Sequence, residues 1–241
     1  MKVCWISAGI SSFMAGYLAG NVDEWIYIDI EDQHKDSLRF IRDCEKAIGK
    51  EIKILRSSEY RTVEEAVRAF GGFRNVYNGF SPCTNYLKRR VRKRWEEEHQ
   101  SEELVYVWGF DSTEKRRAER TIEANPQAEH EFPLIDKGLS KEEVHGLFEH
   151  TFDFRRPEMY ELGYPNNNCI GCVKGGAGYW NRIRKDFPEV FNSRSQLERL
   201  VGHSILKDCY LDELPEDKGN MNTEIFPECG IMCYLAERRQ K

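Results

Sequence analysis

The residues of this chain best equipped for chemistry are its eight cysteines, at positions 4, 44, 83, 169, 172, 209, 229 and 233. Two of them form a C-x-x-C in "YPNNNCIGCVKGGAGYW" (164–180), a stretch with almost no aliphatic side chains to bury. Thiolates are soft donors, and a pair at this spacing serves zinc, an iron–sulfur cluster or a redox dithiol. Cys4 and Cys44 lie in apolar-periodic segments and read as buried small hydrophobes. Cys229 and Cys233 stand four apart in "PECGIMCYLAERR", on one face if the segment is helical. An even cysteine count in an exported domain would imply disulfides. The start "MKVCWISAGISSFMAG" is interrupted by Gly9, Ser11, Ser12 and Gly16 and shows no cleavage pattern. The expectation is therefore a cytoplasmic protein whose cysteines bind metal or react.

Two further segments carry chemistry. "SAGISS" (7–12) follows an apolar run and opens a helical pattern, so free backbone N–H groups and the hydroxyls of Ser7, Ser11 and Ser12 would face an anion such as phosphate. "KRRVRKRW" (88–95) holds six cations in eight positions and is followed by three glutamates. Such a run is usually a solvated face. Its alternative use is phosphate: the first cations would hold a nucleotide or sulfate, and the rest would track a nucleic acid with Trp95 stacking on a base. "EKRRAER" (114–120) adds Arg116, Arg117 and Arg120 at the end of a strand.

Positioning these groups requires a scaffold, and the hydrophobic pattern supplies one. Apolar runs at 2–7, 24–30, 51–56 and 103–111 read as strands. Helical patterns fall at 34–49, 62–71, 83–99, 140–150 and within 178–202. Alternating strands and helices imply parallel βαβ units with ligands at the carboxyl ends of the strands. With 241 residues, 40% hydrophobic and 32% charged, the chain is long enough for one large α/β domain. We divide it into a nucleotide-binding α/β domain, 1–135, and a helical, cysteine-bearing extension, 136–241, expected to form one compact unit with it. The net charge of −5 gives no global attraction to nucleic acid. No apolar run approaches the ~18 residues of a membrane span.

Several of these segments together resemble a known family. "SAGISS" resembles the S-G-G-x-D-S pyrophosphate loop of the adenine nucleotide α-hydrolase superfamily, which is Rossmann-like. Ser7, Gly9 and Ser12 match; Ala8 replaces a glycine and Ser11 the aspartate that assists magnesium. Further along, "CTNYLK" (83–88), "GFDSTEKRRAER" (109–120), "FPLIDKGLSKEEV" (132–144), "LGYPNNNCIGC" (162–172) and "PECGIMC" (227–233) resemble, in order, segments of the 3′-phosphoadenosine 5′-phosphosulfate (PAPS) reductase-like branch. Asp111 stands where that branch has an arginine, and "TEIFP" replaces its basic segment before the tail cysteine. Each match is weak alone, but in this order they cover nearly the whole chain.

The resemblance implies a site. Ser7, Ala8, Gly9, Ser11, Ser12, Asp29, Gly109, Asp111, Arg116 and Arg117 would hold the nucleotide, ATP or PAPS, with magnesium a further candidate. Cys83, Cys169 and Cys172 would meet over it and hold a 4Fe–4S cluster, zinc being the alternative. Cys229 or Cys233 would be the fourth ligand. Lys88 and Lys174 would offset thiolate charge, and nearby glycines would let backbone N–H groups approach the sulfurs. Cys229 is the implied sulfur-handling nucleophile, with Lys88 beside it in the catalytic set.

Three activities fit: ATP-dependent sulfur transfer through the cluster or a Cys229 persulfide, reduction of PAPS or adenylyl sulfate to sulfite, and binding of nucleotide or nucleic acid without catalysis. The first needs a sulfur donor and the second a thioredoxin-like reductant.

Overall fold

The computed structural model describes residues 1–74, 81–207 and 209–224. The four apolar runs form strands β1 (Lys2–Ile6), β2 (Glu24–Ile28), β3 (Ile52–Leu55) and β4 (Val105–Val107), and a fifth, β5 (Glu129–Glu131), completes the sheet. All pairings are parallel and the order is β3-β2-β1-β4-β5. Val3 lies beside Glu24 on one side and Tyr106 on the other, so β1 is central.

Period-2 alternation sends neighbouring side chains of β1 to opposite faces. Val3 and Trp5 join a core with Ala66 and Val67 of α3 (Val63–Phe70), Trp95 of α4 (Arg90–Glu98), and Tyr179, Trp180 and Ile183 of α9 (Ala177–Asp186). Cys4 and Ile6 join the other core with Phe13 of α1 (Ile10–Ala19), Phe40 and Cys44 of α2 (Asp36–Ile48) and Phe148 of α7 (Lys141–Thr151). Both faces are covered, which suits a parallel sheet. Cys4 and Cys44 are core thiols; burial raises the pKa of both.

Helix boundaries follow local chemistry. Thr62 with Glu65, and Ser140 with Glu143, make reciprocal capping boxes at α3 and α7. The expected helix within 178–202 is two: α9 ends at Asp186, and Pro188 opens α10 (Pro188–Val201) at the position where a missing N–H costs nothing. The cation cluster at 114–120, read as a strand end, is a helix, α5 (Lys115–Ala124). β5 is a short polar edge strand with no alternating apolar signal.

Segments after residue 135 pack on both faces of the sheet. α7 lies against α1 on one face and α10 against α3 on the other. No helix among the described residues is long and apolar enough to cross a membrane.

Candidate functional site

The strand order reverses direction at β1, between β2 and β4, and in open parallel sheets the crevice beyond that point takes the ligand. The 7–12 loop lies there, between the end of β1 and the start of α1. Ala8 is fully buried with φ 57°. A side chain in this left-handed conformation costs roughly 1–2 kcal/mol, which a glycine would avoid. Ser12 closes the loop: its hydroxyl accepts from the Ser7 N–H at 3.0 Å, donates to the Gly9 carbonyl at 3.0 Å, and lies 3.0 Å from the Ser7 hydroxyl. Gly109, just after β4, backs onto the same loop. A Cβ there would stand 2.5 Å from Ser12 Cα and 2.6 Å from Ser12 N. Ser7, Ala8, Gly9, Ser11, Ser12 and Gly109 therefore form one surface at the β1–β4 junction.

The other expected nucleotide residues lie around the end of β2 and the start of α5. Asp29 pairs with Arg56 at 2.6 Å and lines a cavity of about 280 Å³ with Ser57, Tyr60 and Arg61. Asp111 is buried and accepts from the N–H and hydroxyl of Thr113 at 2.8 and 2.5 Å, making a turn before α5. Arg117 is buried, ion-paired with Glu114 at 2.6 Å, with its guanidinium 4.3 Å from the Phe110 ring centroid. Asp111 and Arg117 thus shape the α5 entry. Only Arg116 of the expected arginine pair is exposed.

Cys83, Cys169 and Cys172 line one small cavity, together with Ile30, Val63, Thr84, Lys88, Val173 and Lys174. Cys83 directly precedes a π-helical turn (Thr84–Arg89) that runs into α4; such wide turns frequently mark functional sites. Thr84 and Lys88, four apart on it, are both buried and both on the cavity.

The C-x-x-C loop is held by polar bonds. The Tyr179 hydroxyl accepts from the Cys172 N–H at 2.9 Å and donates to the Cys169 carbonyl at 3.2 Å, so one phenol spans both cysteines. Burial, with Cys172 next in effect, keeps that phenol's pKa well above its usual value, so it stays protonated and able to donate. Between the cysteines, Gly171 takes φ 67°, and the Ile170 N–H donates to the Asp32 carbonyl at 2.8 Å. The Asp32 carboxylate accepts from the Val63 N–H at 2.6 Å and forms an ion pair with Arg194 of α10. Asp32 thus joins the cysteine loop, α3 and α10.

The room left by the loop's glycines is taken by the protein itself. A Cβ on Gly178 would stand 2.4 Å from the Met221 nitrogen. The Glu224 carboxylate accepts from the Gly178 and Tyr179 N–H groups at 2.6 and 3.0 Å, capping α9. Gly176 and Gly178 admit the 220–224 segment, while Gly171 and Gly175 lie against Val190, Trp180 and Tyr179.

As donors the cavity residues fit a soft-metal centre: three thiols, no carboxylate, and two ammonium groups to offset negative charge. Among the described residues, however, no group of three or more His, Cys, Asp or Glu side chains is close enough to hold a metal ion. Cys229 and Cys233, the expected nucleophile and fourth ligand, lie outside the described residues. Cys209 is half-buried against the core and is not on the cavity.

The basic run divides by helical face. Lys88, Arg92 and Trp95 point inward. Trp95 packs edge-on against Trp5, with ring centroids 5.4 Å apart, and stacks on His99 at 4.1 Å. It is a core residue and cannot stack on a base, correcting the expectation from sequence. Outward, Arg90 pairs with Glu59, Arg94 donates to the Ser58 hydroxyl at 2.7 Å, and Lys93 is exposed.

Sequence reading missed Tyr179, Asn167 and the Asp32–Arg194 pair. The only local signal was the polar and aromatic composition around the C-x-x-C, where few apolar contacts could fix the chain.

No protein-family model matches the chain, and no curated protein matches it.

Proposed function

We propose that this chain is an enzyme of the PAPS reductase-like branch of the adenine nucleotide α-hydrolase superfamily that uses ATP to transfer sulfur. ATP adenylates an oxygen of the acceptor and releases pyrophosphate; attack by sulfur at the activated centre then releases AMP. The N-terminus of α1 and the 7–12 loop receive the phosphates, because unpaired N–H groups at a helix start attract anions. Lys88 and Lys174 balance negative charge beside the cysteines. Cys229 enters as sulfur carrier on the strength of the resemblance.

One observation carries this reading: Cys83, on one side of β4 in sequence, shares a cavity with Cys169 and Cys172 and with two lysines. A structural thiol pair would need neither the third cysteine nor the ammonium groups. The strand order and the position of the 7–12 loop support the nucleotide half. An iron–sulfur cluster bound by the three thiols would supply a thiophilic centre for the sulfur. The chain's own part is to hold Cys169 and Cys172 in a buried setting with the half-buried Cys83 beside them.

The test is metal and sulfide analysis of anaerobically purified protein, with titration calorimetry against ATP, AMP and PAPS. Ser variants of Cys83, Cys169 and Cys172 should each lose metal, because removing one ligand disrupts a shared centre. Cys4→Ser and Cys44→Ser should retain it. Full metal in Cys83→Ser with loss in Cys169→Ser would break the three-cysteine site, and a clear preference for PAPS over ATP would replace sulfur transfer with sulfite release.

A further inference from the structure

Asn167 belongs to the loop that carries Cys169, yet its side chain ends at the 7–12 loop. Its Nδ2 donates to the Ala8 carbonyl oxygen at 2.8 Å and to the Ser37 hydroxyl at 3.0 Å. A carbonyl oxygen can only accept, so the amide nitrogen must face Ala8 and the amide cannot be flipped. That fixes the other end. Asn167 Oδ1 is buried without a hydrogen-bond partner among the described residues, on a side chain only 4% exposed.

Two consequences follow from this arrangement. Ala8 holds the left-handed conformation that shapes the 7–12 loop, and the bond to its carbonyl helps keep it there. The chain on the other side of Asn167 is pinned as well, by Ile170 N–H on the Asp32 carbonyl and Cys169 C=O on the Tyr179 hydroxyl. Cys169 therefore sits on a three-residue span tied at one end to the loop and at the other to the cysteine cavity. A displacement of Asn167 reaches Cys169 directly.

The unpaired oxygen indicates the ligand chemistry. A buried acceptor without a donor is unfavourable, and this one needs an N–H or O–H. Phosphate oxygens at neutral pH are acceptors and cannot meet that need. A ribose hydroxyl or an amino group of a base can.

We propose that Asn167 couples the two candidate sites: its nitrogen holds the 7–12 loop at Ala8, its oxygen receives a hydroxyl or amino donor of the bound nucleoside, and nucleotide binding thereby changes the exposure of Cys169. This rests on the adenine-nucleotide reading of the 7–12 loop. Asn167 is a positioning residue for Cys169 and a contact for the nucleoside.

The experiment measures the rate at which Cys169 is alkylated by N-ethylmaleimide, read peptide by peptide, with and without ATP at a concentration that calorimetry shows to be saturating. In the wild type, ATP should change the Cys169 rate at least fivefold and leave Cys209 unchanged. In Asn167→Ala, ATP affinity should fall about tenfold, as expected for the loss of roughly one hydrogen bond, and the Cys169 rate should no longer respond to saturating ATP. Ser37→Ala is the milder variant, should the first fail to fold. It removes one of the two acceptors and should reduce the ATP response by about half. Bound ATP without a change at Cys169 in the wild type overturns the coupling, as does a full response in Asn167→Ala or in Ser37→Ala. Absence of any ATP binding by the wild type overturns the nucleotide reading itself, and the coupling with it.

Discussion

Replacing Tyr179 by Phe removes the one oxygen that bonds both the Cys172 N–H and the Cys169 carbonyl. Losing such a bond costs a buried backbone group up to about 1–3 kcal/mol. The bond to Cys169 is the longer of the two, and the loop can relax toward water, so about 2–4 kcal/mol is expected for the pair. The ring would keep its edge contacts with Tyr164 and Trp180, at centroid distances of 5.9 and 5.7 Å, and no large cavity opens. A loss of this size is a substantial part of the ~5–15 kcal/mol that holds a domain folded. Urea unfolding of wild type and variant measures it. Tyr164→Phe is the control, because it deletes a hydroxyl whose partner, Asp186, is partly solvated; its cost should stay near ~1 kcal/mol. Alkylation of Cys172 should accelerate in Tyr179→Phe and not in Tyr164→Phe. Equal costs for the two variants, or a Tyr179→Phe cost below about 0.5 kcal/mol, would refute the clamp.

Gly109→Ala should destabilise by about 1–3 kcal/mol, since the new Cβ meets the Ser12 backbone and no side chain can rotate away; thermal melting reads the stability, and calorimetry should show weakened ATP binding. Trp95→Ala should cost about 3–5 kcal/mol and leave any salt-sensitive nucleic-acid binding unchanged, because the ring lies in the core. His145 is held near a pKa of about 4 by burial first, and then by Lys141 and Arg156, with Glu142 opposing. The unfolded chain takes up this proton as pH falls through about 6.5 and the folded chain does not until about 4, so stability should decline across that window. Allowing for solvent screening, the decline is about 1–2 kcal/mol; His145→Gln should flatten the curve, and an unchanged slope in urea unfolding from pH 7 to 4 would exclude His145 as its source.

Four of the five strands were legible because buried parallel strands read as short apolar runs between helical patterns. β5 was not. Its three residues, Glu129, His130 and Glu131, form a strand because their backbones pair with β4, and nothing in their side chains alternates. The basic run held a signal that its charge obscured. Thr84, Leu87, Lys88, Val91, Arg92 and Trp95 are all buried, the i, i+3, i+4, i+7 spacing of an inward helical stripe. Read by period instead of polarity, this stripe places Trp95 in the core.

The shared cavity of Cys83, Cys169 and Cys172 came from a resemblance, since no local pattern relates residues so distant in sequence. How the cysteine loop is held was not legible for a related reason. A stretch with so few aliphatic side chains cannot be fixed by area burial, whose pattern shows as periodicity. It is fixed by individual bonds to atoms far along the chain: Asn167 to Ala8 and Ser37, Tyr164 to Asp186, Ile170 to Asp32. Each depends on one donor meeting one acceptor, which composition announces but does not locate. The same property makes the loop testable residue by residue. In a packed core a lost contact is shared among many neighbours, whereas here deleting the Tyr179 hydroxyl or the Asn167 amide removes a specific link between Cys169 and the rest of the molecule.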